Sequence, residues 1–72
     1  MVNIPKLKGK IVERQTSIEK LAEHLGIDRS TLYRKLGDGG ESLTIREVNA
    51  IVKALNLSLE EANAIFFSQF VA

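Results

Sequence analysis

Apolar residues recur every three or four positions along most of the chain and never alternate long enough to make a strand. Ile4, Leu7, Ile11 and Val12 share one face of a first helix, with Pro5 tolerated in its first turn. Gly9 inside that helix costs about 1 kcal/mol relative to alanine, with no evident return. A second helix opens at "TSIEK". Thr16 and Glu19 have capping-box spacing there, and Ser17 is an equally good N-cap one residue later. Ile18, Leu21, Ala22 and Leu25 follow as an amphipathic stripe, and Gly26 ends the helix. Asp28 is placed to cap a third helix from Arg29 to Leu36. The glycines of "GDGGES" predict a loop, the most mobile internal segment. Thr44 and Glu47 form a capping box for a fourth helix carrying Ile45, Val48, Ile51, Val52 and Leu55. Ser58 and Glu61 do the same for a fifth, with Leu59, Ala62, Phe66 and Phe70 on one face. The pattern is that of a compact all-α bundle of five short helices, a single domain over residues 1–72 with no internal repeat.

Composition removes several classes of function. With no cysteine and one histidine, His24, the chain can build neither a thiolate metal site nor a Cys–His pair. Glu19 and Glu23 lie four apart beside Lys20 and read as a solvated helix face rather than an acid/base pair. The loop glycines match neither a phosphate-binding loop nor a dinucleotide fingerprint. The expectation is a protein that is not an enzyme and has no metal, cofactor or small-molecule ligand. No apolar run is long enough to span a bilayer, and the N-terminal lysines are not followed by an apolar stretch. This predicts a soluble cytoplasmic protein with no membrane partner. The net charge of +1 conceals a division: residues 1–36 hold eight Lys/Arg against four Asp/Glu, and residues 37–72 hold two against five. A basic half joined to an acidic half fits a polyanion partner on one side.

The stretch "LAEHLGIDRSTLYRKL" decides between the remaining readings. Two short helices joined by about three residues, with glycine in the turn, make a helix-turn-helix unit. Ala22 is small where the helices cross, Gly26 supplies the turn, and Ile27 fills the angle. Leu21, Leu25 and Leu32 anchor the unit to the core. Residues 18 to 37, within a motif spanning about 17–37, resemble the helix-turn-helix of the Cro/CI-type phage repressors. One helix before and two after extend the resemblance over nearly the whole chain. It implies a lambda-repressor-like five-helix DNA-binding domain with the motif formed by helices two and three.

With Leu32 and Leu36 buried, a turn of roughly 100° per residue puts Ser30 and Arg34 on the opposite side. Thr31 and Tyr33 then flank them, and Arg29 projects from the first turn. The N-terminal part of such a helix enters the DNA major groove, where arginine can donate two hydrogen bonds to guanine. Arg29 and Arg34 are therefore the candidate base readers, with Ser30 and Tyr33 assisting. Tyr33 has the alternative of lying against the sugar–phosphate backbone. The resemblance places the start of helix two at the backbone, which makes Thr16, Ser17 and their amides candidate phosphate contacts. Thr31, Lys35, Gly39, Gly40 and Ser42 are further candidates. Lys6, Lys8 and Lys10 either add non-specific attraction or serve solubility. Asp28 departs mildly from the pattern, being acidic at the start of the reading helix.

The resemblance implies a two-fold dimer on half-sites about 34 Å apart. In "AIFFSQFVA", Phe67 and Val71 fall roughly 100° from the core stripe of Phe66 and Phe70. They make a candidate homodimer surface, unless Phe67 closes the core against helix one. Without an effector domain, regulation would act through concentration, dimerisation or a second protein. Two functions follow. One is a sequence-specific transcriptional regulator of phage or prophage type, binding a double-stranded operator. The other is an antirepressor or modulator that binds another phage regulator protein and uses DNA weakly or not at all.

Overall fold

The helices expected from the apolar rhythm are all present in the computed structural model, which describes residues 2–67. They are α1 (Ile4–Glu13), α2 (Ile18–Leu25), α3 (Arg29–Gly37), α4 (Ile45–Ala54) and α5 (Leu59–Phe66), with no strand among the described residues. The side chains that start them follow the local chemistry of helix N-termini. Asn3 accepts from the Lys6 amide ahead of α1, and Ser17, not Thr16, accepts from the Lys20 amide ahead of α2. Thr44 with Glu47 and Ser58 with Glu61 close full capping boxes on α4 and α5.

The helix ends obey a second rule, which the sequence pattern predicts only at Gly26. Ile27 N–H bonds to the Ala22 carbonyl and Gly26 N–H to that of Glu23, around a left-handed Gly26 at φ +72°. These paired bonds satisfy carbonyls that the last turn would otherwise leave open. The same pair closes α1 through Thr16 and Gln15, α3 through Gly40 and Gly39, and α4 through Leu57 and Asn56. Its left-handed residue is Gln15 at φ +57° after α1 and Asn56 at +51° after α4. Each connection is thereby turned sharply enough for five short helices to surround one core.

That core is Leu7, Ile11, Leu21, Ala22, Leu25, Leu32, Leu36, Ile51, Leu55, Leu57, Ala62, Ile65 and Phe66. Burying a leucine or isoleucine contributes about 1.5–3 kcal/mol, and Leu7, Leu32, Ile51 and Ile65 are completely shielded. Three residues expected on core faces are instead exposed: Val12 (75%), Ile45 (81%) and Leu59 (78%). Ile45 and Leu59 each directly follow an N-cap. A first helical side chain leans back past the helix end, where it is covered only if another element lies there. That is so for the half-buried Ile4 and Ile18 but not for Ile45 and Leu59. Val12 lies about 100° around α1 from Ile11, off the line that faces the bundle. On α5 the fully buried Ile65 takes the central place, beside Ala62 and Phe66; Phe70 lies outside the described residues.

"GDGGES", expected to be the loosest internal segment, is fastened to the fold. Gly40 is buried at φ +78° with the Val2 side chain directly against it, and Leu43 N–H returns to the Gly40 carbonyl. The segment before α1 is tied down as well, by Asn3 N–H to the Ile65 carbonyl at 2.7 Å.

Candidate nucleic-acid interface

The turn between α2 and α3 stands on buried residues. Leu21, Ala22 and Leu25 of α2 and Leu32 and Leu36 of α3 sit in the core, and Ile27 is half-buried between them. Ala22, 1% exposed, offers only a methyl group where α3 crosses, so the two backbones can approach closely. With Leu32 and Leu36 inward, Arg29, Ser30, Tyr33 and Arg34 all emerge on the solvent side, while Thr31 is half-buried at the flank. The expected reading face is therefore presented as one surface.

Its side chains differ in how far they are engaged. Among the described residues, the ion pairs take up Lys10, Arg14 and Lys35, and include neither Arg29 nor Arg34. Tyr33 is held: its hydroxyl donates to Glu19 Oε2 on α2 at 2.8 Å. That bond raises the Tyr33 pKa. The Glu19 carboxyl is lowered by its own backbone amide and then by the tyrosine hydroxyl, with Arg29 adding a favourable charge. Ser30 is also engaged, donating to Asp28 Oδ2 at 3.1 Å. Asp28 occupies the N-cap position in extended geometry, but its side chain makes no hydrogen bond to the helix amides. Glu19, Ala22, Glu23, Ile27, Asp28 and Arg29 line a shallow cleft at the α2–α3 junction. Among the described residues, the exposed face of α3 thus carries two guanidiniums that take part in no ion pair, with carboxylates beside them.

A family model for the Cro/C1-type HTH DNA-binding domain matches residues 6–66, a span from the first turn of α1 to the end of α5. The chain belongs to this family. No curated protein and no solved structure matches it.

In this Cro/C1-type domain the expected phosphate contacts fall into two groups. Thr16 and Ser17 stand half-buried at the start of α2, and Ser17 Oγ is already used in capping Lys20. Thr31 flanks α3. The other group is spent within the fold. Gly39 N–H donates to the Leu36 carbonyl, Gly40 N–H to that of Lys35, and Ser42 Oγ to Asp38 Oδ2. Gly40 is buried as well. Lys35 is drawn away from solvent, its Nζ 2.8 Å from both carboxylate oxygens of Glu47. Partial burial pushes the Glu47 carboxyl up, but Lys35 and the Thr44 amide more than offset it and hold the group below its ordinary range.

Of the α1 lysines, Lys6 and Lys8 are exposed, whereas Lys10 pairs with Glu13 and Glu61. Arg14 donates through Nε to the Leu55 carbonyl at 2.8 Å, stapling the end of α1 to the end of α4. Glu19 and Glu47 are the residues whose roles sequence reading missed. It saw a solvated carboxylate in one and a capping residue in the other, because their partners lie 14 and 12 positions away on different helices. His24 is exposed on α2. Among the described residues, no group of three or more His, Cys, Asp and Glu side chains is arranged to hold a metal, and no helix is long and apolar enough to cross a membrane. Phe67 is 46% exposed beside a hollow that includes Val2, Leu43, Ile45, Val48 and Phe66; Val71 lies outside the described residues.

Proposed function

We propose that this domain is a sequence-specific transcriptional regulator that places α3 in the major groove of an operator and represses by occluding it. One observation carries the reading: among the described residues Arg29 and Arg34 take part in no ion pair and stand exposed on the outer face of a helix whose inner face is buried through Leu32 and Leu36. An unpaired guanidinium on a rigid support is suited to bidentate donation to guanine O6 and N7. Ser30 and Tyr33 assist at the edges once released from Asp28 and Glu19. Thr16, Ser17 and Thr31 then face the phosphates, and Lys6 and Lys8 add attraction that weakens as salt rises. Gly39, Gly40, Ser42 and Lys35 are less suited to phosphates, since their donors already have partners within the fold.

The regulator acts as a homodimer, since one reading helix gives too little interface for tight, selective binding. Phe67 supplies its dimer surface, with Val71 the second candidate from the sequence. The regulator is of the kind that phages and prophages use. The alternative, a modulator that binds another repressor, draws on the carboxylates Glu19, Asp28 and Asp38 close to the reading helix.

Selection of bound duplexes from a random pool, with wild type and Arg34→Ala in parallel, tests the proposal. Wild type is expected to enrich a two-fold symmetric site, and Arg34→Ala to lose preference at one position per half-site, worth about 1–3 kcal/mol. No enrichment at moderate salt would overturn the reading and direct attention to a protein partner.

A further inference from the structure

Lys35 and Glu47 form a contact that neither capping nor DNA contact explains. Their side chains are only 14% and 12% exposed, and the ammonium meets both carboxylate oxygens at 2.8 Å. Glu47 cannot easily follow a moving partner. It sits in the first turn of α4, where its Oε1 accepts from the Thr44 amide at 2.9 Å and its own amide donates to Thr44 Oγ1 at 3.1 Å. Leu32 and Leu36 bury the inner face of α3 and the Tyr33–Glu19 hydrogen bond ties the helix to α2, and the Lys35–Glu47 pair adds the side-chain tie to α4. An ammonium held 2.8 Å from both oxygens of a fixed carboxylate is a charge-assisted contact that resists any roll carrying Lys35 away from Glu47.

Lys35 directly follows Arg34 in α3. A roll of about 10° moves a side-chain tip about 6 Å from the axis by roughly 1 Å. That displacement spoils paired hydrogen bonds to a base edge, which tolerate only a few tenths of an ångström. We infer that Lys35 and Glu47 are positioning residues: their ion pair sets the roll of α3 and so controls sequence discrimination without touching DNA. The inference rests on the reading of α3 as the DNA-reading helix. It also accounts for Lys35 as something other than a phosphate ligand, since donating to DNA would strand a half-buried carboxylate.

The experiment compares full-length wild type, Lys35→Met, Glu47→Gln, the double variant and Lys35→Arg. Each is titrated against the duplex that wild type enriches and against a scrambled duplex, over a range of salt. Glu47→Gln keeps an acceptor for the Thr44 amide, because glutamine also serves a capping box. Lys35→Arg keeps the charge and the fold but changes the reach of the donor. Lys35→Met, Glu47→Gln and Lys35→Arg are each expected to lower the ratio of specific to scrambled affinity by about tenfold, the weight of one good base contact. Scrambled affinity and salt slope stay at wild-type values, and the double variant is no worse than the poorer single.

Two results overturn the inference alone. One is an unchanged ratio in the variants. The other is a phosphate signature, in which Lys35→Met weakens both duplexes equally with a salt slope lower by about one, while Glu47→Gln strengthens both. A wild type that prefers no sequence overturns the reading of α3, and the inference with it.

Discussion

Gln15 occupies a left-handed conformation at φ +57° without the compensation that glycine would bring. It is exposed, and its amide closes α1 by donating to the Val12 carbonyl at 2.9 Å. A side chain in that region costs roughly 1–2 kcal/mol through contact of Cβ with the following carbonyl. Glycine removes that strain but sacrifices about 0.5–1 kcal/mol of backbone entropy on folding. Gln15→Gly is therefore expected to stabilise the domain by about 0.5–1 kcal/mol. The mirror change, Gly26→Ala at φ +72°, adds a Cβ with no atom within 4 Å, so it should destabilise by a similar amount through strain alone. Urea unfolding followed by helix circular dichroism measures both. With a slope of about 1 kcal/mol per molar for so small a domain, the midpoints should move by about 0.5–1 M in opposite directions. A lower midpoint for Gln15→Gly would show that the left-handed closure of α1 carries no strain, and the reasoning would fail for all four helix ends.

Gly40→Ala should cost about 2–4 kcal/mol, well beyond Gly26→Ala, because left-handed strain is joined by overpacking. The new Cβ would lie 2.8 Å and 2.9 Å from two Val2 side-chain atoms, and equal midpoints for the two variants would show that this contact has no weight. Acid should weaken the fold through Glu61. Lys10 first, then the Ser58 amide, hold its carboxyl at about 2 against an ordinary 4.5. Its folded pKa is depressed, so its contribution is complete above about pH 4.5 and disappears as pH falls towards 2. Glu61→Gln keeps the cap and should flatten that acid limb in a pH series of urea midpoints; an unchanged limb would refute the assignment.

The fold was legible because its helices are short and each carries its own punctuation. Ser17, Thr44 and Ser58 announce their helix starts through chemistry contained within four residues. The ends were less legible. Gly26 and Gly39 follow the preference for glycine and Asn56 the lesser one for asparagine, but Gln15 adopts the same left-handed geometry with no such preference behind it. Periodicity misplaced Ile45 and Leu59 for a related reason. It assigns an angle around the helix axis but takes no account of height along it, and a first-turn residue can point at the core direction yet lie beyond the core's edge.

The candidate site divides along the same line. Which side chains of α3 face outward follows from Leu32 and Leu36 alone, so Arg29, Ser30, Tyr33 and Arg34 could be read from the sequence. Which of them are already held could not, because Tyr33 meets Glu19 across the α2–α3 turn and Lys35 meets Glu47 across the α3–α4 loop. Such contacts depend on where two helices come to rest, and no local spacing encodes that. The consequence for binding is concrete. A residue whose donors are unpaired can engage a base at no cost in broken contacts. One that is held must first give up a partner, and the carboxylate left behind stands close to incoming phosphates. Glu19 is therefore a burden on any DNA complex that detaches Tyr33, and it is offset only where the base edge offers Tyr33 a better partner. A tether of that kind weakens binding to every sequence but the right one, which is how carboxylates beside a reading face can serve discrimination while lowering affinity.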